Sequence, residues 1–396
     1  EARGEDAKYP RPWEVAQREQ QGMNGAGHAA GMRVDAACVK RRACLGVRPR
    51  LRRAAAFPNI TGFFMASTAR FDVVAIGNAI VDVIARAEDA LIEAEGLTKG
   101  SMRLIDAAEA TRLYAAMGPA VEMSGGSAAN TLAGMAALGR RCAFIGQVAD
   151  DQLGHVFTHD LRALGVAYDT PPLSSGAPTA RCLILVTPDG QRTMNTFLGA
   201  SHLLDQAMID EAVIADSDIL YLEGYLWDPP LSRAAMRRAI EVARGAGRKV
   251  AFTLSDAFII DRHGEDFRAL IGEGLFDILF ANEVEIKALA GDEDFEAAVA
   301  KVSAEVPLLV VTRSEKGAIA IMKGVRTEVG AEPIDTVVDT TGAGDLFAAG
   351  FLAGQAEARS IADCLTMGAI CAREIIAQVG PRAQSDLKAE VAARLG

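Results

Sequence analysis

The chain has 396 residues, with 41 Lys+Arg against 52 Asp+Glu, a formal net charge of -11 and 50% hydrophobic residues. That length suits one large α/β domain or two small ones, and the acidic balance leaves no basic footprint for nucleic acid or an anionic membrane. No run of 18 apolar residues argues for a membrane span. The six cysteines (Cys38, Cys44, Cys142, Cys182, Cys364, Cys371) show neither a CxxC pair nor zinc-ligand spacing, so a reduced, cytoplasmic location is expected.

Residues 1–64 carry 12 Lys+Arg against 6 Asp+Glu, whereas the remainder carries 29 against 46. Lacking sustained apolar periodicity, 1–64 is expected to be an unstructured leader or a non-native N-terminal extension, with the folded domain over 65–396. An organelle transit peptide is the competing account of its arginines. Beyond Met65, Phe71–Ile76 reads as a strand. Helices are then expected at Asn130–Leu138 and Gly154–Leu164, separated by a strand at Cys142–Ile145. Strands follow at Cys182–Val186, Ile219–Leu222 and Val250–Leu254, with a helix at Leu231–Gly245. The strand Ile278–Phe280, the helix Asp294–Val302 and the strands Leu308–Val311 and Ala318–Met322 come next, before helices at Asp345–Gln355 and Ile361–Gln378. Several strands are continuous apolar runs, which suits burial on both faces of a mostly parallel sheet crossed by helices. Val81–Ile105 and Pro178–Phe197 break the alternation. Their β-like segments, with the turn Pro188-Asp189-Gly190 and no intervening helix, predict a small antiparallel flap from about 80–105 and 178–200.

The chemistry concentrates in Asp339-Thr340-Thr341-Gly342-Ala343-Gly344-Asp345, which opens an Ala-rich helix. Gly342, Ala343 and Gly344 strip side-chain bulk from a helix N-terminus, where unpaired N–H donors favour a phosphate oxygen. Asp345 in the first turn can then accept a proton from an attacking hydroxyl, although a plain helix cap competes with that reading. A second small-residue cluster, Ser124-Gly125-Gly126-Ser127-Ala128-Ala129-Asn130, bares the backbone before another helix, and Asn130 offers a donor and an acceptor to a polyol. There too a capped loop is the competing account. Asn78 and Asp82 follow the first strand, at the carboxyl end where open α/β sheets bind ligands, and an ordinary turn is the alternative at Gly77-Asn78. The histidines His155, His159, His202 and His263 have no metal spacing, and no Gly-x-x-x-x-Gly-Lys-Ser/Thr loop occurs.

Together these clusters resemble the PfkB (ribokinase-like) carbohydrate and nucleoside kinases, over essentially 65–396. The Asp-Thr-x-Gly-Ala-Gly-Asp motif at 339–345 and the Gly-Gly-x-x-x-Asn cluster at 125–130 carry the resemblance. Asn282-Glu283-Val284-Glu285 is similar to the family's Asn-x-x-Glu, a helix-start cap with a solvated Glu being the alternative, and Thr312-Arg313-Ser314-Glu315-Lys316-Gly317 is similar to its nucleotide-binding turn, with Ser314 replacing a Gly. Within the family the adenosine kinases look most similar, through Gly77-Asn78-Ala79-Ile80-Val81-Asp82, the segment Thr253–Ile259 and the tail Phe347–Arg382.

The resemblance implies a three-layer α/β/α domain with a mostly parallel sheet and a small β lid. It also implies an ATP- and Mg²⁺-dependent kinase acting on the 5′-hydroxyl of a nucleoside, adenosine first. Asp345 would be the general base, and Gly342, Ala343 and Gly344 the anion hole. Asn78, Asp82, Gly125, Gly126 and Asn130 would hold the sugar. Asn282, Thr312, Ser314 and Gly317 would join Gly342 and Gly344 around ATP, with Glu285 reaching Mg²⁺ through water. Asp339 would belong to a monovalent-cation (K⁺) loop. Arg192, just after the flap turn, would approach the phosphates, a solvated hairpin arginine being the alternative. A ribokinase- or fructokinase-like sugar kinase and a non-catalytic ligand-binding protein on the same scaffold are the rival readings. Expected partners are a small-molecule nucleoside or sugar and neither nucleic acid nor membrane, with the chain a monomer or a lid-mediated homodimer.

Overall fold

The computed structural model describes residues 69–378 and 380–396, so the expectation for 1–64 lies outside the described residues. The chain runs β1 (Phe71–Ile76), β2 (Ile80–Arg86), α1 (Asp89–Ala94), β3 (Met102–Leu104), α2 (Ala107–Ala116), β4 (Ala120–Gly125), α3 (Ser127–Ala137) and β5 (Cys142–Ile145). It continues with α4 (Gln152–Ala163), β6 (Val166–Tyr168), β7 (Ala180–Val186), β8 (Arg192–Phe197), α5 (Glu211–Ala215), β9 (Ser217–Glu223), α6 (Pro230–Gly245), β10 (Lys249–Thr253) and α7 (Ala257–Gly272). The last third holds β11 (Ile278–Asn282), α8 (Glu283–Ala290), α9 (Phe295–Ser303), β12 (Leu308–Thr312), β13 (Ala318–Met322), β14 (Val325–Val329), α10 (Ala343–Ala356), α11 (Ile361–Ile376) and α12 (Leu387–Leu395).

Nine strands form the main sheet in the order β14-β13-β12-β11-β10-β9-β1-β5-β6. All neighbours from β12 to β6 pair in parallel, while β13 and β14 add antiparallel. The apolar runs have the expected cause. Val73, Ala75, Ile219, Tyr221 and Ala251 face one core, with Leu346, Phe347 and Phe351 of α10. Their neighbours Val74, Ile76, Leu220, Leu222, Val250 and Phe252 face a second core, with Met236 of α6 and Phe267 of α7. Successive side chains point to opposite faces and helices cover both, so three layers form.

A second sheet, ordered β3-β8-β7-β2-β4, stands where the flap was expected. It differs from the expectation in three ways. β2 pairs with β7 and β3 with β8 in parallel, so the sheet is mixed. The segment 81–105 contains a helix after all, α1, one turn too short to show periodicity. β4 joins along the far edge through antiparallel pairing with β2, from Ile80↔Gly125 to Ala85↔Ala120. That pairing brings the Gly125-Gly126 cluster back to the end of β1. Among the described residues, no helix is long and apolar enough to cross a membrane.

Candidate active site

Glycine requirements draw two loops together at the carboxyl end of β1. At Gly126 the backbone is left-handed (φ +92), and an added Cβ would lie 2.2 Å from the Asn78 carbonyl oxygen. At Gly125 an added Cβ would strike the Asp82 carboxyl, 2.5 Å from Oδ2. Only glycine lets the Asn78–Asp82 segment and the 125–130 segment touch in this way. Asn78 is fixed from below by Glu223, the last residue of β9. Its amide N–H and its Nδ2 both donate to Glu223 Oε1 at 2.8 Å, and the Ala128 amide donates to Oε2 at 2.8 Å. The Asn78 Oδ1 atom stays buried without a hydrogen-bond partner, an acceptor unspent by the protein. Glu223 is fully buried, and burial pushes its carboxyl up to about 7 against the opposing pull of the amides.

α3 begins at Ser127, three residues before the expected start, which places Asn130 inside the first turns rather than at the opening. The consequence is direct: Ser127 Oγ donates to Asp345 Oδ1 at 2.6 Å, and Asn130 Nδ2 donates to Asp345 Oδ2 at 2.9 Å. Thr131 Oγ1 adds a bond to the Asp345 carbonyl at 3.2 Å. Asp345 is half-buried in the first turn of α10 and forms no salt bridge among the described residues; burial raises its carboxyl above the ordinary range, while Ser127, Asn130 and Arg382 oppose the rise. Two helix N-termini therefore converge on one carboxylate. Neither has a side-chain cap: Gly126 stands before α3, and Gly342, left-handed at φ +78, stands before α10. The Ala343 amide turns back to the Thr340 carbonyl at 3.2 Å, while first-turn amides such as those of Gly344 and Asp345 have no intrahelical acceptor. Gly344 is exposed, and an added Cβ there would have no atom within 4 Å beyond its chain neighbours and its own helix backbone.

Asp82 is buried, and desolvation pushes its carboxyl up to about 6, eased by Arg382 and Arg192 and aggravated by Asp345 and Asp339. Arg382 had no signal in the sequence beyond its place in the tail. It donates through Nη1 to Asn130 Oδ1, and through Nη2 to the Ser124 carbonyl at 2.6 Å and Ser124 Oγ at 3.0 Å. Because it occupies the Asn130 oxygen, it fixes which face of that amide turns its Nδ2 toward Asp345. Glu223 could have been suspected from its place, one residue past an apolar strand; Ser127 sat inside a recognised cluster without a role.

The expected nucleotide residues group along one edge. Asn282 and Thr312 are register partners at the carboxyl ends of β11 and β12, and the turn to β13 carries Ser314 (φ 50) and Gly317 (φ 85). Phe280 of β11 meets Phe351 of α10 edge-on at 5.5 Å, tying that edge to the helix that Gly342 opens. Asn282 and Glu285 form a reciprocal cap: Asn282 Nδ2 donates to Glu285 Oε1 at 2.6 Å, its amide donates to Oε2 at 3.0 Å, and the Glu285 amide donates back at 2.8 Å. Both Glu285 oxygens are thus engaged, and burial pushes the carboxyl up to about 7. Among the described residues no group of three or more His, Cys, Asp or Glu could hold a metal ion.

Arg192 opens β8 and is not solvated. It pairs with Asp339 at 2.7 Å, the two side chains being 8% and 4% exposed. Asp339 Oδ1 also accepts the Thr341 amide at 3.0 Å, and Oδ2 the Gly380 amide at 3.2 Å.

Comparison with known proteins finds several likenesses. A family model described as pfkB family carbohydrate kinase matches residues 71–388. The structure of adenosine kinase from Sinorhizobium meliloti is 49% identical with TM-score 0.77, covering 82% of this chain and 99% of that one. A probable sugar kinase from Rhizobium etli is 47% identical with TM-score 0.78 and the same coverage. Fructokinase from Klebsiella pneumoniae is 30% identical over 243 residues, 60% of this chain and 79% of that protein.

Proposed function

The chain belongs to the pfkB family of carbohydrate kinases, and on that premise we propose that it transfers the γ-phosphoryl group of ATP to the 5′-hydroxyl of a nucleoside, adenosine to AMP. The observation that carries this reading is the setting of Asp345. Two neutral donors, Ser127 Oγ and Asn130 Nδ2, hold its carboxylate at the mouth of an uncapped, glycine-opened helix. Neutral donors orient a base while lowering its basicity less than a direct ion pair would. The acceptor hydroxyl gives its proton to Asp345 as it attacks, and the backbone around Gly342–Gly344 takes up charge on the phosphoryl oxygens.

Asp82 and the unpartnered Asn78 Oδ1 are hydrogen-bond acceptors for ribose hydroxyls, with Gly125, Gly126 and Asn130 completing that wall. A ligand lacking a hydroxyl would leave a buried acceptor unpaired there, which favours polyol acceptors. Asn282, Thr312, Ser314 and Gly317 lie where the nucleotide's other end would rest. Mg²⁺ would arrive with the triphosphate and would neutralise phosphate charge; Glu285, both of whose oxygens are occupied by its cap, would reach it only through water. The choice of a nucleoside over a free sugar leans on the opening Gly77-Asn78-Ala79-Ile80-Val81-Asp82 and on 49% identity to an adenosine kinase over nearly its full length, beside 47% to a probable sugar kinase and 30% to a fructokinase, so the acceptor assay decides it. The chain is taken to work in the cytoplasm, as a monomer or as a dimer through the second sheet.

An ADP-release assay across adenosine, inosine, guanosine, ribose and fructose tests the acceptor, and a clear preference for a free sugar defeats the nucleoside assignment. Asp345→Asn tests the mechanism: turnover should fall about 10²–10⁴-fold while ATP still binds. Unchanged turnover would remove Asp345 from the reaction and leave a ligand-binding protein as the better reading.

A further inference from the structure

The family resemblance places a monovalent cation at Asp339, and the surroundings of that carboxylate do not fit one. Oδ1 is taken by the Thr341 amide and Oδ2 by the Gly380 amide, and a full positive charge already sits 2.7 Å from Oδ2 on Arg192 Nη2. With the two side chains 8% and 4% exposed, little water screens them. A K⁺ ion brought to this oxygen would shed its hydration beside a guanidinium, where like charges repel in a medium of low effective dielectric. The guanidinium meanwhile supplies what such an ion would: one positive charge fixed against the carboxylate that begins the phosphate loop.

We propose that the Arg192 guanidinium takes the place of the monovalent cation at Asp339, so that the phosphate loop is ordered without K⁺ and is fastened to the second sheet. Arg192 comes from β8 of that sheet, and Asp339 lies three residues before Gly342, so the pair ties the sheet to the loop through one buried contact. Arg192 Nη1 and Nη2 are both buried without a hydrogen-bond partner, so the contact of Nη2 with Asp339 is one of charge, and N–H groups are left over to meet an anion. The inference rests on the kinase reading only for the activity arm of its test.

The full chain is exchanged into tetramethylammonium chloride and compared at equal ionic strength with K⁺, Na⁺ and Cs⁺. Wild-type kcat/KM should change by less than about twofold between tetramethylammonium and K⁺. The melting temperature, read with and without ADP, should likewise be indifferent to the cation. Arg192→Gln leaves Asp339 buried and uncompensated, so this variant should acquire a K⁺ response, its melting temperature and its kcat/KM both rising in K⁺ by comparison with tetramethylammonium. A specific stimulation or thermal stabilisation of the wild type by K⁺, or a variant blind to K⁺, overturns the inference. If no acceptor is phosphorylated, the kinase reading fails on its own, and the melting temperatures still decide this one.

Discussion

At Gly344 an added Cβ meets nothing within 4 Å beyond its chain neighbours and its own helix backbone, and the residue lies in a helix where alanine is the better former by about 1 kcal/mol. Folding alone gives no reason for glycine there. Gly344→Ala should therefore melt at or above the wild-type temperature, yet bind ATP more weakly and turn over more slowly, since the methyl stands where a phosphate would approach the backbone. Calorimetry and initial rates on one preparation check both halves; full activity in a normally folded variant would take Gly344 out of the nucleotide site. Asp82 makes a pH-dependent claim. Burial lifts its carboxyl to about 6, so it loses its charge as pH falls through 6 and becomes a poorer acceptor for sugar hydroxyls. Acceptor kcat/KM should fall below pH 6, and Asp82→Asn should flatten that limb at a plateau roughly 10–100-fold lower. A limb that persists unchanged in the variant would belong to Asp345, whose carboxyl is also raised.

At the level of elements, the parallel sheet was legible because strands buried on both faces have an unbroken apolar signature. β1, β5 and β13 stand at the boundaries read from Phe71–Ile76, Cys142–Ile145 and Ala318–Met322. What escaped was what packing decides. β6 and β3 are three residues long, too short for any pattern, and β4 reads Ala-Val-Glu-Met-Ser-Gly, so only its partner β2 makes it a strand. α7 has a weak sequence signature although Asp256 caps it, because its inward stripe of Ile259, Ile260, Phe267, Leu270 and Ile271 is broken by His263 and Gly264. The motif residues were visible as a set, and the contacts that turn them into a site were not. Ser127 reaches Asp345 across 218 positions and Arg382 reaches Asn130 across 252, separations that no local pattern encodes. The Asn282–Glu285 pair shows the reverse: its spacing of three is a capping box, and the structure forms that box.

For the molecule as a whole, gathering Glu223, Glu285 and Asp82 out of water sets the pH dependence of folding. Burial raises all three, to about 7, 7 and 6, above the ordinary carboxylate range near 4. The folded state then binds protons that the unfolded chain has released, so stability is greatest at low pH and is lost as pH rises through those values. His202 works in the opposite direction: burial lowers it, so its protonation costs stability below its ordinary value of 6.5. The clean window is pH 8 down to 6.5, where the two glutamates take up protons and the histidine is still neutral. Each contributes about 1 kcal/mol across that window, so in a folded domain this large the melting temperature should rise by roughly 2–3 °C. Glu223→Gln has no proton to gain and should lose about half of the rise, whatever its absolute stability. A melting temperature that is flat or falling from pH 8 to 6.5 would mean that these carboxylates stay charged in the fold, with Glu223 gripping Asn78 and Ala128 as an anion throughout.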